Sequence, residues 1–118
     1  MKVAVLMGSE NDKPKVAPAT EVLERFGVEV DVEVMSAHRT PASVTAFSAQ
    51  AKENGYGVII AAAGMAAALP GAVAAHTTLP VIGLPLSGSA LNGVDALYAI
   101  ALDPPAADEA ADEAEADG

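Results

Sequence analysis

Residues 3–7, Val-Ala-Val-Leu-Met, form an unbroken apolar run that stops at Gly8-Ser9. A central parallel strand reads this way, because neither of its faces is given to water. Asn11 and Asp12 then offer helix caps, and Val16, Ala19, Leu23 and Phe26 follow at helical spacing. Pro18 removes a backbone donor inside that stretch, so a late start or a kink is expected. Gly27 supplies the stop. From Val28 to Val34 valines alternate with acids, which predicts a strand with one solvated face. Thr40-Pro41 gives the cap and first turn of a second helix, Val44, Phe47 and Ala51 its apolar stripe, and Asn54-Gly55 its end. Val58 to Ala62 predicts a third, buried strand. Leu69-Pro70 opens a short helix through about Ala75, and Pro80 to Leu84 reads as a fourth strand. A helix is expected from about Ala90 to Ala101.

Strand and helix thus alternate four times with short connections. That is the pattern of an open parallel α/β sheet, wound right-handedly as crossovers almost always are. Residues 1–102 carry this pattern as one domain. The stretch 103–118 does not: it is Ala, Asp, Glu, Pro and Gly with no apolar period, and a disordered acidic tail is expected there.

Composition narrows the class further. Hydrophobic residues make up 52% of the 118 and aromatics only 3%, so the core must be built from Ala, Val, Leu and Ile. A mean hydropathy of +0.34 in so short a chain predicts apolar surface covered by sister subunits. There is no cysteine, which excludes disulfides and thiolate chemistry, and two histidines alone make a zinc site improbable; no metal is expected. No segment has the length of a membrane span, and the start of the chain lacks a signal-peptide pattern, so a cytoplasmic protein is expected. The net charge of −10 is uneven. Seven of the sixteen acids fall from Asp103 onward, leaving nine acids against six bases before it. No nucleic-acid partner is expected for such a body.

In an open parallel sheet ligands bind beyond the carboxyl ends of the strands. Four polar or Gly-rich junctions fall at such ends: Gly8 to Asp12, Ser36 to Pro41, Ala63 to Met65, and Leu86 to Gly93. The first, a Gly-Ser turn opening a helix, presents amides and a hydroxyl to an anion, although Ser9 and Asp12 also serve as ordinary caps. The second is sharper, because His38 beside Arg39 puts a group that titrates near neutrality next to a fixed cation. A surface His-Arg pair on a polar loop is the bland alternative. His76 reads as structural or solvent-facing.

The segments Met7-Gly8-Ser9-x-Asn11-Asp12, Ser36-Ala37-His38-Arg39-Thr40-Pro41, Leu69-Pro70-Gly71 and Ser89-Ala90-Leu91-x-Gly93-x-Asp95-x-Leu97-Tyr98 occur in this order. In them the chain, from Met1 to about Ile100, resembles the N5-carboxyaminoimidazole ribonucleotide mutase family, also called the catalytic subunit of phosphoribosylaminoimidazole carboxylase. The resemblance implies a three-layer αβα, flavodoxin-like sheet and a step of purine biosynthesis. In that step a carboxylate moves from an exocyclic nitrogen to a ring carbon of an aminoimidazole ribonucleotide, with no ATP, metal or organic cofactor. It implies that His38 shuttles the proton and that Ser9 and Arg39 hold the phosphate. It implies further that Asp12 takes the ribose hydroxyls, with Ser36 and Gly64 also at the substrate and Gly8, Asn11, Ala37, Met65, Leu69 and Ser89 as pocket wall. It implies a homo-oligomer, an octamer whose subunits share active-site walls.

The chain differs from the family pattern at three places. Asn11 replaces a serine and can still cap and donate. Met65 stands where the family has a glycine, and Ala68 where it has a histidine that lines the site. After Ile100 the family's last strand and long C-terminal helix are replaced by Asp103-Pro104-Pro105 and the acidic stretch. Two other readings therefore stand beside the mutase: direct carboxylation of aminoimidazole ribonucleotide with CO2, and a non-catalytic nucleotide-binding or assembly subunit.

Overall fold

A computed structural model describes residues 1–64 and 68–86. Met65, Ser89, the expected helix from about Ala90 and the stretch 103–118 lie outside the described residues. Within them the chain runs β1 (Lys2–Met7), a 3-10 turn (Glu10–Asp12), α1 (Lys13–Arg25), β2 (Glu29–Val34), α2 (Pro41–Gln50), β3 (Tyr56–Ala63), α3 (Leu69–Ala74) and β4 (Val81–Pro85). The four strands are parallel, in the order β2-β1-β3-β4. This is the α/β architecture expected, and its order reverses between β1 and β3.

Strand alternation sends each face of the sheet to a different helix layer. Ala4 and Leu6 of β1 and Ile59 and Ala61 of β3 pack with Val44 and Ala51 from the second helical segment and with Leu69 and Val73 of α3. Val3, Val5 and Met7 turn the other way and meet Val16 of α1 and Ala62. The three layers are therefore α1, sheet, and α2 with α3. Val5, Leu6, Met7 and Ile59 have no exposed surface, so a polar substitution at any of them costs desolvation with no partner to offset it.

Two glycines stop the first two helices by one device. Gly27 (φ 79°) and Gly55 (φ 94°) take the left-handed conformation that a side chain resists. Around Gly27, the Val28 amide donates to the Leu23 carbonyl at 3.1 Å and the Gly27 amide to that of Glu24 at 3.0 Å. Around Gly55, Tyr56 donates to Ala51 at 3.1 Å and Gly55 to Lys52 at 3.1 Å. Both are the paired closing bonds of a Schellman stop, and each launches the next strand.

Several local expectations are corrected. α1 begins at Lys13 and continues through Pro18, with no late start. Pro18 is exposed, and the donor it lacks would have served the carbonyl of Pro14, itself exposed to water. Phe26 does not belong to the apolar stripe: it stands at the C-cap, beyond the last helical residue, and is 82% exposed. Asp12 makes no side-chain cap bond. The Ser9 hydroxyl caps instead, accepting the Asn11 amide at 3.1 Å. The stripe of α2 includes a buried hydroxyl, Ser48, which donates to the Val44 carbonyl at 2.7 Å. β3 starts two residues earlier than expected, at Tyr56, with a register shift against β1 between Lys2 and Val3.

Candidate functional site

The strand order reverses between β1 and β3, and in an open parallel sheet the carboxyl ends at such a reversal are where ligands bind. Three predicted junctions follow the carboxyl ends of neighbouring strands. Gly8 and Ser9 follow β1, Ser36 to Thr40 follow β2, and Gly64 follows β3. Gly64 is half-buried against Leu86, whose amide donates to the Ala63 carbonyl at 3.0 Å.

The loop after β2 is built around two anchors. The Met35 amide donates to the Met7 carbonyl at 2.8 Å, extending the ladder by one step, and Met35 and Ala37 pack against the core. His38, Arg39 and Thr40 are exposed. The Ser36 hydroxyl accepts the amides of His38 and Arg39 at 3.2 and 3.0 Å, folding the loop back on itself.

Arg39 joins the second junction to the first. Its Nη2 donates to the Gly8 carbonyl at 2.9 Å, thirty-one residues back in the chain. One N–H of a five-donor fork is thereby used to fix the guanidinium beside the Gly8-Ser9 turn, and the others remain for a ligand. Among the described residues no carboxylate pairs with Arg39. Lys13 and Lys15 across the turn are paired, with Glu10 at 2.9 Å and Asp12 at 4.0 Å. Among the described residues the turn thus offers an anion an uncompensated cation, the amides at the start of the helical segment, and a Ser9 O–H that donates to no other group. Asp12, half-buried, brings an acceptor suited to hydroxyls rather than to phosphate. The His38 imidazole makes no hydrogen bond among the described residues, and it stands beside the anchored Arg39.

Not every predicted residue converges here. Leu69 is buried among Val44, Ile59 and Val73 in the core, where it packs α3 on the sheet. Ala37 contributes through its packing on the same core. Asn11 is exposed and joins the turn through its amide. Ala68 directly precedes α3. His76 is exposed, with Nδ1 3.0 Å from the Ala72 carbonyl, which agrees with a structural or solvent-facing role. A groove of about 240 Å³ between α1 and β2, lined by Met7, Lys13, Val16, Ala17, Thr20 and Val32, contains none of the sequence candidates.

Sequence reasoning missed two arrangements. Thr40 spends its hydroxyl on Ser36, accepting its amide at 2.8 Å, rather than on the helix it precedes. At the opposite end of the sheet the Tyr56 hydroxyl donates to Asp31 Oδ2 at 2.6 Å, and Lys2 Nζ lies 3.5 Å from the same oxygen and 4.4 Å from the ring centre of Tyr56. The bond from Tyr56, with Lys2 nearby, holds the Asp31 carboxyl below its ordinary value. Burial, and then Asp31, push the Tyr56 phenol up to about 12. The one available signal was the alternation of β2, which puts Asp31 opposite Ala4, on the α2 and α3 side of the sheet.

Comparison with known proteins bears on this geometry. Residues 2–111 match the family model described as AIR carboxylase. The N5-carboxyaminoimidazole ribonucleotide mutase of Vibrio vulnificus (strain CMCP6) is 53% identical over 100 residues, 85% of this chain and 62% of that protein. The protein of the same name from Escherichia coli (strain K12) is 52% identical over 99 residues, 84% of this chain and 59% of its own length. The crystal structure of PurE from Treponema denticola superposes with a TM-score of 0.78 at 27% identity, covering 89% of this chain and 66% of the other. The chain thus spans about three fifths of the length of these two mutases.

Proposed function

Because the chain belongs to the AIR carboxylase family, we propose that it interconverts N5-carboxyaminoimidazole ribonucleotide and 4-carboxyaminoimidazole ribonucleotide in purine biosynthesis. The observation that carries the reading is the bond from Arg39 to the Gly8 carbonyl. It fixes a permanent cation beside the Gly8-Ser9 turn, with His38 next to it in the chain. Arg39 and Ser9 hold the substrate phosphate, Asp12 accepts from the ribose hydroxyls, and Ser36 and Gly64 border the ring.

The proton balance follows from one acid–base group. His38 donates to the exocyclic nitrogen as its bond to the carboxylate carbon breaks and CO2 leaves. The ring carbon then attacks the retained CO2, and His38 takes the proton which that carbon loses. Nothing is consumed, so one imidazole serves both halves. Among the described residues no His, Asp and Glu are grouped to hold a metal ion, and the proposed steps use none.

Identity favours the mutase over direct carboxylation, since relatives sharing about half of the aligned residues carry the mutase name. A turnover assay on N5-carboxyaminoimidazole ribonucleotide without ATP, run beside one on aminoimidazole ribonucleotide with bicarbonate, separates the two. Conversion of the first substrate at low bicarbonate supports the mutase. Conversion only of the second supports the carboxylase, and binding without either reaction supports a non-catalytic subunit.

Self-association belongs to the same proposal. Val22 is 41% and Phe26 82% exposed, four residues apart at the end of α1, and Ile82 of β4 is 53% exposed. Apolar surface of this kind favours burial between subunits. Light scattering over a wide dilution range should show an oligomer that dissociates on dilution. A monomer at every concentration would remove this part of the reading.

A further inference from the structure

Thr40 stands at the N-cap of α2, yet its hydroxyl makes no cap bond to that helix. It accepts the Ser36 amide at 2.8 Å and donates to the Ser36 carbonyl at 3.2 Å. The Thr40 amide donates to the same carbonyl at 2.9 Å. Both backbone polar groups of Ser36 are therefore held by one residue. Ser36 in turn holds the amides of His38 and Arg39 through its own hydroxyl. Two hydroxyls close residues 36–40 from both ends, and the two side chains to which chemistry is assigned lie between them.

We propose that Thr40 is a positioning residue for the proposed reaction: its hydroxyl fixes the loop from which His38 acts. The inference rests on the functional reading above. Its physical basis is that no packing and, among the described residues, no side-chain bond holds His38. His38, Arg39 and Thr40 are exposed, so packing does not set their place. Ser and Thr hydroxyls are strongly favoured for capping, and here that use is given up. The residue that benefits most is His38. Arg39 has a second tether in the Gly8 carbonyl, whereas the His38 side chain has none among the described residues. Loss of the Thr40 hydroxyl should therefore affect the proton-transfer step more than phosphate binding.

The test compares Thr40→Val, which keeps the shape and removes the hydroxyl, with Thr40→Ser, which keeps the hydroxyl. The full chain is used, with kcat, KM, thermal midpoint and amide exchange as readouts. Thr40→Val should lower kcat by roughly 10- to 100-fold, the scale of a small misplacement of a reacting group. KM should change far less. The midpoint should hardly move, because water can replace exposed hydrogen bonds. Thr40→Ser should restore most of kcat. A Val variant with the parent kcat overturns the proposal, as does equal loss in both variants. If the parent protein converts neither substrate, the functional reading fails instead, and the loop is judged by exchange. Slow exchange of the Ser36, His38 and Arg39 amides that quickens in Thr40→Val supports the clamp; fast exchange in the parent overturns it.

Discussion

The two ends of the sheet use similar groups to opposite effect. At the amino end, Lys2, Asp31 and Tyr56 answer one another: cation, carboxylate and hydroxyl close within 3.5 Å, and Lys2 also donates to the Asn54 carbonyl at 3.4 Å. At the carboxyl end, among the described residues, Arg39 bonds only a carbonyl, and Ser9 and Ser36 accept amides while keeping their own O–H groups to give. A closed network stabilises strands; an open one leaves donors and charge for a ligand. In the proposed function the same sheet thus separates holding together from binding. The strands run parallel, so all their ends of one kind gather on one side.

Substitutions should separate the ends in the same way. The largest effect is expected at His38. His38→Asn should lower kcat by at least ~10²-fold, the scale for loss of an acid–base group, with little change in substrate binding. Near-full turnover would remove His38 from the mechanism. Next, Arg39→Ala should weaken ribonucleotide binding by roughly 1.5–3 kcal/mol, the scale of a hydrogen bond to a charged group, as measured by calorimetry. The nucleoside lacking the phosphate should bind poorly to the parent and be indifferent to the change. Equal affinity for nucleotide and nucleoside in the parent would mean that no phosphate site exists.

Tyr56→Phe should act on the other side of the comparison, lowering the thermal midpoint by a few degrees while leaving ribonucleotide affinity unchanged. Its pH dependence has a definite sign. The Asp31 carboxyl is depressed below 3.8, so its contribution is present above that ordinary value and fades as pH falls through the depressed one. The Tyr56 phenol is raised to about 12, so its contribution is full below 10 and fades as pH rises through about 12. The midpoint difference between parent and Tyr56→Phe should therefore be widest between these limits and shrink beyond both. A difference independent of pH would show that the network contributes packing alone. The smallest effect is expected for Ser9→Ala. Loss of its cap should cost about 0.5–2 kcal/mol in stability, and Ser9→Gly only a few tenths. If Ser9 also serves the phosphate, both variants weaken ribonucleotide binding equally, whatever their stability.

Which of these features the sequence announces depends on how local their causes are. The apolar runs of β1 and β3 mark buried strands because both faces of a central strand are covered. The stops at Gly27 and Gly55 are legible because a positive φ is a property of one residue. The loop from Ser36 to Pro41 is legible as a candidate site for the same reason, since its motif is contiguous. What escaped depends on which partner a group takes, near or far in the chain. Asp31 looks like another acid of an alternating strand until the register brings it to Tyr56, twenty-five residues on. Phe26 fits a helical period that ends one residue before it. Ser48 is buried despite its hydroxyl because the Val44 carbonyl satisfies it. Thr40-Pro41 has the sequence of a helix start, and nothing in that pair says that the hydroxyl faces backward to Ser36.

The proposed function confines ligand binding to the carboxyl end. It is tested most directly by titrating aminoimidazole ribonucleotide into 15N-labelled protein and following the amide resonances. The amides of Ser9, Ser36, His38, Arg39 and Gly64 should shift together along one saturating curve, while those of Lys2, Asp31 and Tyr56 stay in place. Shifts gathered at Lys2, Asp31 and Tyr56, or along the groove between α1 and β2 with Ser36 to Arg39 unmoved, would contradict it.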